Sequence, residues 1–136
     1  MYSGSCLCGG IQFRIRGALA PIQVCHCSQC RKAQGGPFAT NIPVERAALE
    51  FTSGDHLMKR YASSPGKARV FCSECGSPIF SERDSLPHLV RIRAGLLNEP
   101  LPVTPAFHAH TGSKANWWLI NDDLPQHVAG YVAPKQ

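Results

Sequence analysis

Seven cysteines fall in three short clusters along this 136-residue chain: Cys6-Leu7-Cys8, Cys25-His26-Cys27-Ser28-Gln29-Cys30 and Cys72-Ser73-Glu74-Cys75. The middle cluster places three thiols and an imidazole within six consecutive residues, a density that neither core packing nor chance composition accounts for. Paired spacings of this kind suit a soft metal ion, because closely spaced sulfurs can converge on one centre. A disulfide framework is the competing use, but it belongs to secreted proteins, and an odd cysteine count leaves one thiol unpaired. Isolated cysteines are usually small buried hydrophobes, which does not describe residues grouped as CxC, CxCxxC and CxxC.

A structural zinc site closes its tetrahedron with four ligands, whereas a catalytic one keeps a position open. Seven sulfurs therefore divide naturally as four plus three. Cys6, Cys8, Cys72 and Cys75, each pair at a strand end, make a closed site that staples the N-terminal strand to the central hairpin. Cys25, Cys27 and Cys30 hold a second zinc with one position open, so up to two zinc ions per chain are expected. A rival division joins Cys27 and Cys30 with Cys72 and Cys75 as a zinc ribbon and predicts one zinc per chain. Its two CxxC units are separated by 41 residues, against roughly 15–20 in the compact ribbon pattern. Adjacent residues rarely ligate one tetrahedral ion together, so the His26 side chain is expected to point away from the metal. His108 is a candidate for lining the cleft, and His110 reads as an ordinary strand histidine.

Short strands must carry these clusters. Ile11, Phe13 and Ile15 alternate with Gln12, Arg14 and Arg16, the period of a half-buried strand between Gly9 and Gly17, with Cys6 and Cys8 on the turn entering it. Pro21 to Val24 delivers the chain to Cys25. Ser28 to Gln34 reads as a helix with Ser28 as N-cap and Gly35-Gly36-Pro37 as its stop, so Cys27 and Cys30 straddle its first turn. Phe38, Thr40 and Ile42 alternate again, with Pro43 restricting that strand to an edge or an end. Leu49 to Thr52 is β-like. Leu57 to Ala62 and Lys67 to Phe71 flank Ser63-Ser64-Pro65-Gly66 as a hairpin whose second strand runs into Cys72. Pro78 to Glu82 and Leu86 to Ala94 are two further strands. Pro100, Pro102 and Pro105 then force an extended path, expected to form an arm over the sheet carrying Phe107, His108, His110, Trp117 and Trp118.

Length and the lack of a linker or repeat imply one domain spanning 1–136. No apolar run approaches the ~20 residues of a bilayer span, and neither end carries a charged-then-apolar leader, so no membrane partner and a cytoplasmic location are expected. Fourteen Lys and Arg against nine Asp and Glu give a net charge of +5. The basic residues are scattered rather than clustered, which argues against nucleic acid and for anionic small molecules or a solvated face.

Cys6-Leu7-Cys8-Gly9-Gly10, Cys25 to Ala33 with Gly35, Phe71 to Ser77, and His108 followed by Gly112 to Ala115 and Trp117 together resemble the glutathione-dependent formaldehyde-activating enzyme family, which includes centromere-protein-V-like members. The resemblance covers nearly the whole chain. It implies a mainly β, compact, zinc-stapled Mss4-like fold of short antiparallel sheets with little helix. It also implies a structural site at Cys6, Cys8, Cys72 and Cys75 and a labile catalytic site at Cys25, Cys27 and Cys30. The implied activity is that of a carbon–sulfur lyase joining glutathione to formaldehyde, an S-(hydroxymethyl)glutathione synthase. On this reading the partner is a small thiol such as glutathione, with Arg31 and Lys32 attracting its carboxylates. The alternative within the same resemblance is a non-catalytic zinc module that binds a protein or nucleic acid.

Overall fold

A computed structural model describes residues 1–130. Ten strands and one helix follow in the order β1 (Tyr2–Ser5), β2 (Gln12–Ile15), β3 (Ile22–Cys25), α1 (Ser28–Gln34), β4 (Ala39–Glu45), β5 (Leu49–Ser53), β6 (Met58–Ser64), β7 (Lys67–Cys72), β8 (Pro78–Arg83), β9 (Leu89–Arg93) and β10 (Pro105–Ala109). The architecture is mainly β, as expected. β1-β2-β5 form a three-stranded sheet, and β10-β3-β4-β9-β8-β7-β6 form a seven-stranded one.

Period-two alternation decides what lies between the sheets. Phe13 and Ile15 on β2, Val70 on β7, Phe80 on β8, and Val90 and Ile92 on β9 are buried in one core with Ile11, Ile42, Val44 and Ile79. Phe51 of β5 bridges the sheets, with ring centroids 5.9 Å from Phe13 and 5.8 Å from Phe80. The opposite face of the seven-stranded sheet is polar. There the register sets Lys67 opposite Arg83, Arg69 opposite Ser81, Ser81 opposite Arg91, and Arg93 opposite Asn41.

Four local expectations differ from the structure. β1 precedes the first expected strand: Ser3-Gly4-Ser5 has turn composition, but Gly4 pairs with Phe13 and leaves room for its ring, which an added Cβ would meet at 2.3 Å. The helix cap is Cys27 rather than Ser28, its Sγ accepting the Cys30 N–H at 3.2 Å. Pro43 lies inside β4, opposite Arg91 on β9, not at a sheet edge. Pairing with β3 stops at Asn41, so Pro43 has a strand on one side only and its missing N–H breaks no ladder bond on the other. The proline-rich stretch does not simply lie over the sheet. Leu97, Leu101 and Val103 pack on the core, and the chain then enters the sheet as β10, parallel to β3 and at its edge. Every other pairing between these ten strands is antiparallel, and β10 makes a further parallel bridge from His108 to Gln126. The helix stop at Gly35 (φ 67°) and the β6–β7 hairpin turn at Gly66 (φ 72°) fall where the sequence puts them. Among the described residues, no helix is long and apolar enough to cross a membrane.

β1, which leads to Cys6, is anchored from outside its sheet. The Ser3 N–H and hydroxyl donate to the Glu99 carboxylate at 2.7–3.0 Å, and the Asn98 N–H donates to the Ser3 carbonyl at 2.9 Å. The Ser3 hydroxyl, then its amide, hold the Glu99 carboxyl below the usual carboxylate range. A carboxyl depressed in the folded state stabilises above its unfolded pKa, and that contribution disappears as pH falls through the folded value. Glu99→Gln should therefore melt below wild type at pH 7, with the gap closing as pH is lowered through the carboxylate range. Identical thermal melts at pH 7 would remove Glu99 as an anchor.

Candidate functional site

The sulfur atoms of Cys6, Cys8, Cys72 and Cys75 all lie within 4.8 Å of one another, and so do those of Cys25, Cys27 and Cys30. All seven are free thiols. In the four-cysteine group the Cys6 and Cys8 sulfurs are 3.5 Å apart and those of Cys8 and Cys72 3.9 Å. A tetrahedral ion with metal–sulfur bonds of about 2.3 Å places its sulfurs about 3.8 Å apart, so this donor set fits a closed metal site. Its sulfurs come from the end of β1 and the end of β7. The Ile11 N–H donates to Cys6 Sγ at 3.3 Å, and the Leu7 N–H donates to Ser77 Oγ at 2.9 Å. The Ser77 hydroxyl, followed by its amide, draws the Cys75 thiol down to about 5, in keeping with a thiolate ligand. The ribbon division is not what the fold assembles: Cys27 and Cys30 are grouped with Cys25, and Cys72 and Cys75 with Cys6 and Cys8.

The triplet is local. Cys25 ends β3, Cys27 caps α1, and Cys30 lies buried in its first turn. Hydrogen bonds from Cys25 and Cys27, then from Arg69, hold the Cys30 thiol far down, while contacts with Cys27 and Cys30 push Cys25 up. Three thiols at this distance cannot all ionise without a compensating cation. The nearest cation is Arg69 on β7, whose Nη2 donates to Cys30 Sγ at 3.7 Å. Three soft donors converging, with no fourth protein sulfur beside them, fit a metal ion that keeps a coordination position for another ligand.

His26, between two of these cysteines, belongs to neither sulfur group. It is fully buried, and its Nε2 lies 2.8 Å from His108 Nδ1. His108 Nε2 in turn lies 2.9 Å from the Asp122 carboxylate. An ionised carboxylate only accepts, so His108 donates to Asp122 from Nε2, and one proton is shared between His108 Nδ1 and His26 Nε2. Burial, then the neighbouring His108 and Lys114, lower the His26 pKa to about 4, which keeps its ring neutral. The chain Asp122–His108–His26 thus ties residues beyond β10 to the middle of the cysteine triplet. His108, expected as a cleft residue, is 5% exposed and lines neither cleft described below. Asp122 carries no sequence signal beyond its charge.

Two adjoining clefts open beside the triplet. One, of about 530 Å³, has Cys25, Cys30, Asn41, Lys67, Arg83 and Arg91 in its walls. The other, of about 750 Å³, has Cys27, Ser28, Gln29, Lys67, Arg83 and Asp84. His110 borders both, in a left-handed conformation (φ 57°) that fixes the turn after β10. Neither Arg31 nor Lys32 lines either cleft. Lys32 borders a separate shallow pocket with Tyr61 and Ser63. Lys67, Arg83 and Arg91, far apart in the sequence, stand beside the sulfurs instead. Burial, then repulsion from neighbouring cations, lowers the pKa of both Lys67 and Arg91.

Comparison with known proteins agrees with this geometry. A curated relative from Halomonas elongata, named "Putative glutathione-dependent formaldehyde-activating enzyme", is 33% identical over 140 residues, covering 96% of this chain and 88% of its own length. An uncharacterized lyase of Schizosaccharomyces pombe is 29% identical over 79 residues, 58% of this chain and 56% of that protein. The crystal structure of a Rhodobacter sphaeroides protein shares the fold, with a TM-score of 0.63 at 22% identity over 76% of this chain and 98% of that one. Residues 1–113 match the family model described as "Glutathione-dependent formaldehyde-activating enzyme", and with that extent of match the chain belongs to the glutathione-dependent formaldehyde-activating enzyme family.

Proposed function

We propose that this chain is a zinc-dependent carbon–sulfur lyase resembling S-(hydroxymethyl)glutathione synthase, activating a glutathione-like thiol for addition to formaldehyde or another small electrophile. The observation that carries this reading is a three-sulfur cluster at the wall of an open cleft, beside a four-sulfur cluster that needs no further ligand. The continuous core between the two sheets supports reading the chain as one domain. Free thiols throughout suit a reducing compartment such as the cytoplasm.

Cys25, Cys27 and Cys30 would hold the catalytic ion, and Cys6, Cys8, Cys72 and Cys75 the structural one. When bound by the triplet, zinc supplies the positive charge that lets an incoming thiol shed its proton near neutral pH. Cys25, Cys27 and Cys30 as three thiolates would leave a divalent ion with one net negative charge, which would disfavour hydrolytic chemistry and favour a thiol partner. Arg69 offsets that charge at Cys30. His26, fixed by His108 and Asp122, holds the loop between Cys25 and Cys27 so that the sulfurs keep their convergence. In the addition, the thiol sulfur forms a bond to the carbonyl carbon, the π electrons move to oxygen, and that oxygen takes up a proton to give the hemithioacetal. Holding both reactants in one cleft supplies much of the acceleration, since this addition proceeds unaided.

Metal analysis of protein purified without chelator is expected to find two zinc ions per chain. Cys27→Ser should fall to one while keeping its far-UV spectrum, because serine is itself a good helix cap. Cys72→Ser should lose the fold with its zinc. A wild-type stoichiometry of one that vanishes in Cys27→Ser would defeat the two-site assignment. For the reaction, NMR exchange between free formaldehyde and its glutathione adduct should be accelerated by wild type and not by Cys27→Ser. Equal exchange rates for the two proteins would remove the named activity.

A further inference from the structure

The polar face of the seven-stranded sheet carries a charge arrangement that the fold alone does not require. Lys67 on β7 stands directly opposite Arg83 on β8, and Arg69 and Arg91 stand on either side of Ser81 in the next cross-strand row of that face. Like charges placed opposite one another destabilise a sheet. Two neighbouring cations are already matched: Arg69 donates to Cys30, and Arg93 donates to Asn41 and Ser81. Lys67, Arg83 and Arg91 are not. Among the described residues none of the three has a carboxylate within ion-pair distance; the ion pairs found are Arg46 and Arg60 with Glu82, and His108 with Asp122. All three border the 530 Å³ cleft that Cys25 and Cys30 also line. A cleft of that size suits a small ligand, and its unmatched charge is positive.

The unmatched positive charge favours an anionic ligand. Three thiolates on a divalent ion leave minus one, which Arg69 answers. Three cations then remain for the ligand. We propose that Lys67, Arg83 and Arg91 form a carboxylate subsite that selects a thiol bearing at least two carboxylates and holds it through those groups independently of its sulfur. This rests on the thiol-addition reading above and deepens it by assigning specificity to residues on β7, β8 and β9 rather than to the helix cations Arg31 and Lys32.

The separating probe is S-methylglutathione, which keeps both carboxylates but cannot offer a thiolate. Isothermal titration into the zinc-loaded full chain should show binding that weakens with added salt. Affinity should drop by roughly 10- to 100-fold in Arg83→Gln and in Arg91→Gln, the usual loss when a hydrogen bond to a charged group is removed. Arg83 is exposed, so its replacement leaves the core intact, and two zinc ions per chain in the variant would verify folding. Arg83→Lys should recover part of the affinity. The diethyl ester of S-methylglutathione should bind wild type no better than it binds the variants. In the exchange assay, Arg83→Gln should raise KM for glutathione and leave kcat near wild type. The subsite is overturned if S-methylglutathione does not bind wild type, if its affinity is unchanged in both glutamine variants, or if the diester binds as tightly as the diacid. Absent formaldehyde exchange alongside cation-dependent binding of S-methylglutathione would overturn the reaction and retain the subsite. Normal exchange with an unchanged KM in Arg83→Gln would do the reverse.

Discussion

Four sulfurs drawn within 4.8 Å of one another join the two sheets, and the remaining geometry depends on that junction. Cys6 and Cys8 follow β1 of the small sheet, whereas Cys72 ends β7 of the large one and Cys75 follows it. Strands of four to seven residues give each sheet little independent stability. The core between them supplies the apolar contribution, but it is non-directional and would tolerate sliding. Sulfurs converging on one centre do not, because moving either sheet by a fraction of a strand spacing separates the donors. The register that results sets Arg69 against Cys30 and brings the cationic row beside the triplet.

The same alternation serves two purposes on the large sheet. On β9, Val90 and Ile92 enter the core while Arg91 and Arg93 face the other way, and on β7, Ala68, Val70 and Cys72 oppose Lys67 and Arg69. Apolar burial on one face stabilises the sheet while like charges on the other oppose it. A thiolate cluster and an anionic ligand would relieve such repulsion, which makes the polar face better suited to binding than to packing. β10 extends this layer, its parallel pairing with β3 delivering His108 to His26.

Local signals were legible and non-local ones were not. The CxC, CxCxxC and CxxC clusters, the stop at Gly35 and the turn at Gly66 depend on short spacings or on backbone conformations that glycine favours, both written in neighbouring residues, and ligand counting alone joins the two outer pairs. β1 was missed because its Ser-Gly-Ser composition reads as a turn and only Phe13, nine residues from Gly4 in sequence, explains why a glycine belongs there. The cap fell to Cys27 because sulfur accepts an N–H while also serving the cluster, a dual role that capping preferences do not encode. Arg31 and Lys32 attracted notice through adjacency to Cys30. The cations that flank the cleft lie 37 to 61 residues beyond Cys30 and reach it only through strand register, which period alone cannot fix.

The contrast between the two clusters follows from how each is built. The four-cysteine group spans 70 residues from Cys6 to Cys75, so its convergence depends on how the two sheets are set against one another. The triplet occupies six consecutive residues whose backbone is already fixed: Cys25 pairs with Ala39 and Ala109, the His26 N–H donates to the Ala109 carbonyl at 2.9 Å, and Cys27 caps α1. Its sulfurs converge because strand, cap and helix hold them there. A site preorganised in this way suits the proposed reaction, in which the remaining ligand must change. That local construction is what the proposed chemistry at Cys25, Cys27 and Cys30 requires, whereas the convergence of Cys6, Cys8, Cys72 and Cys75 depends on the two sheets being held together.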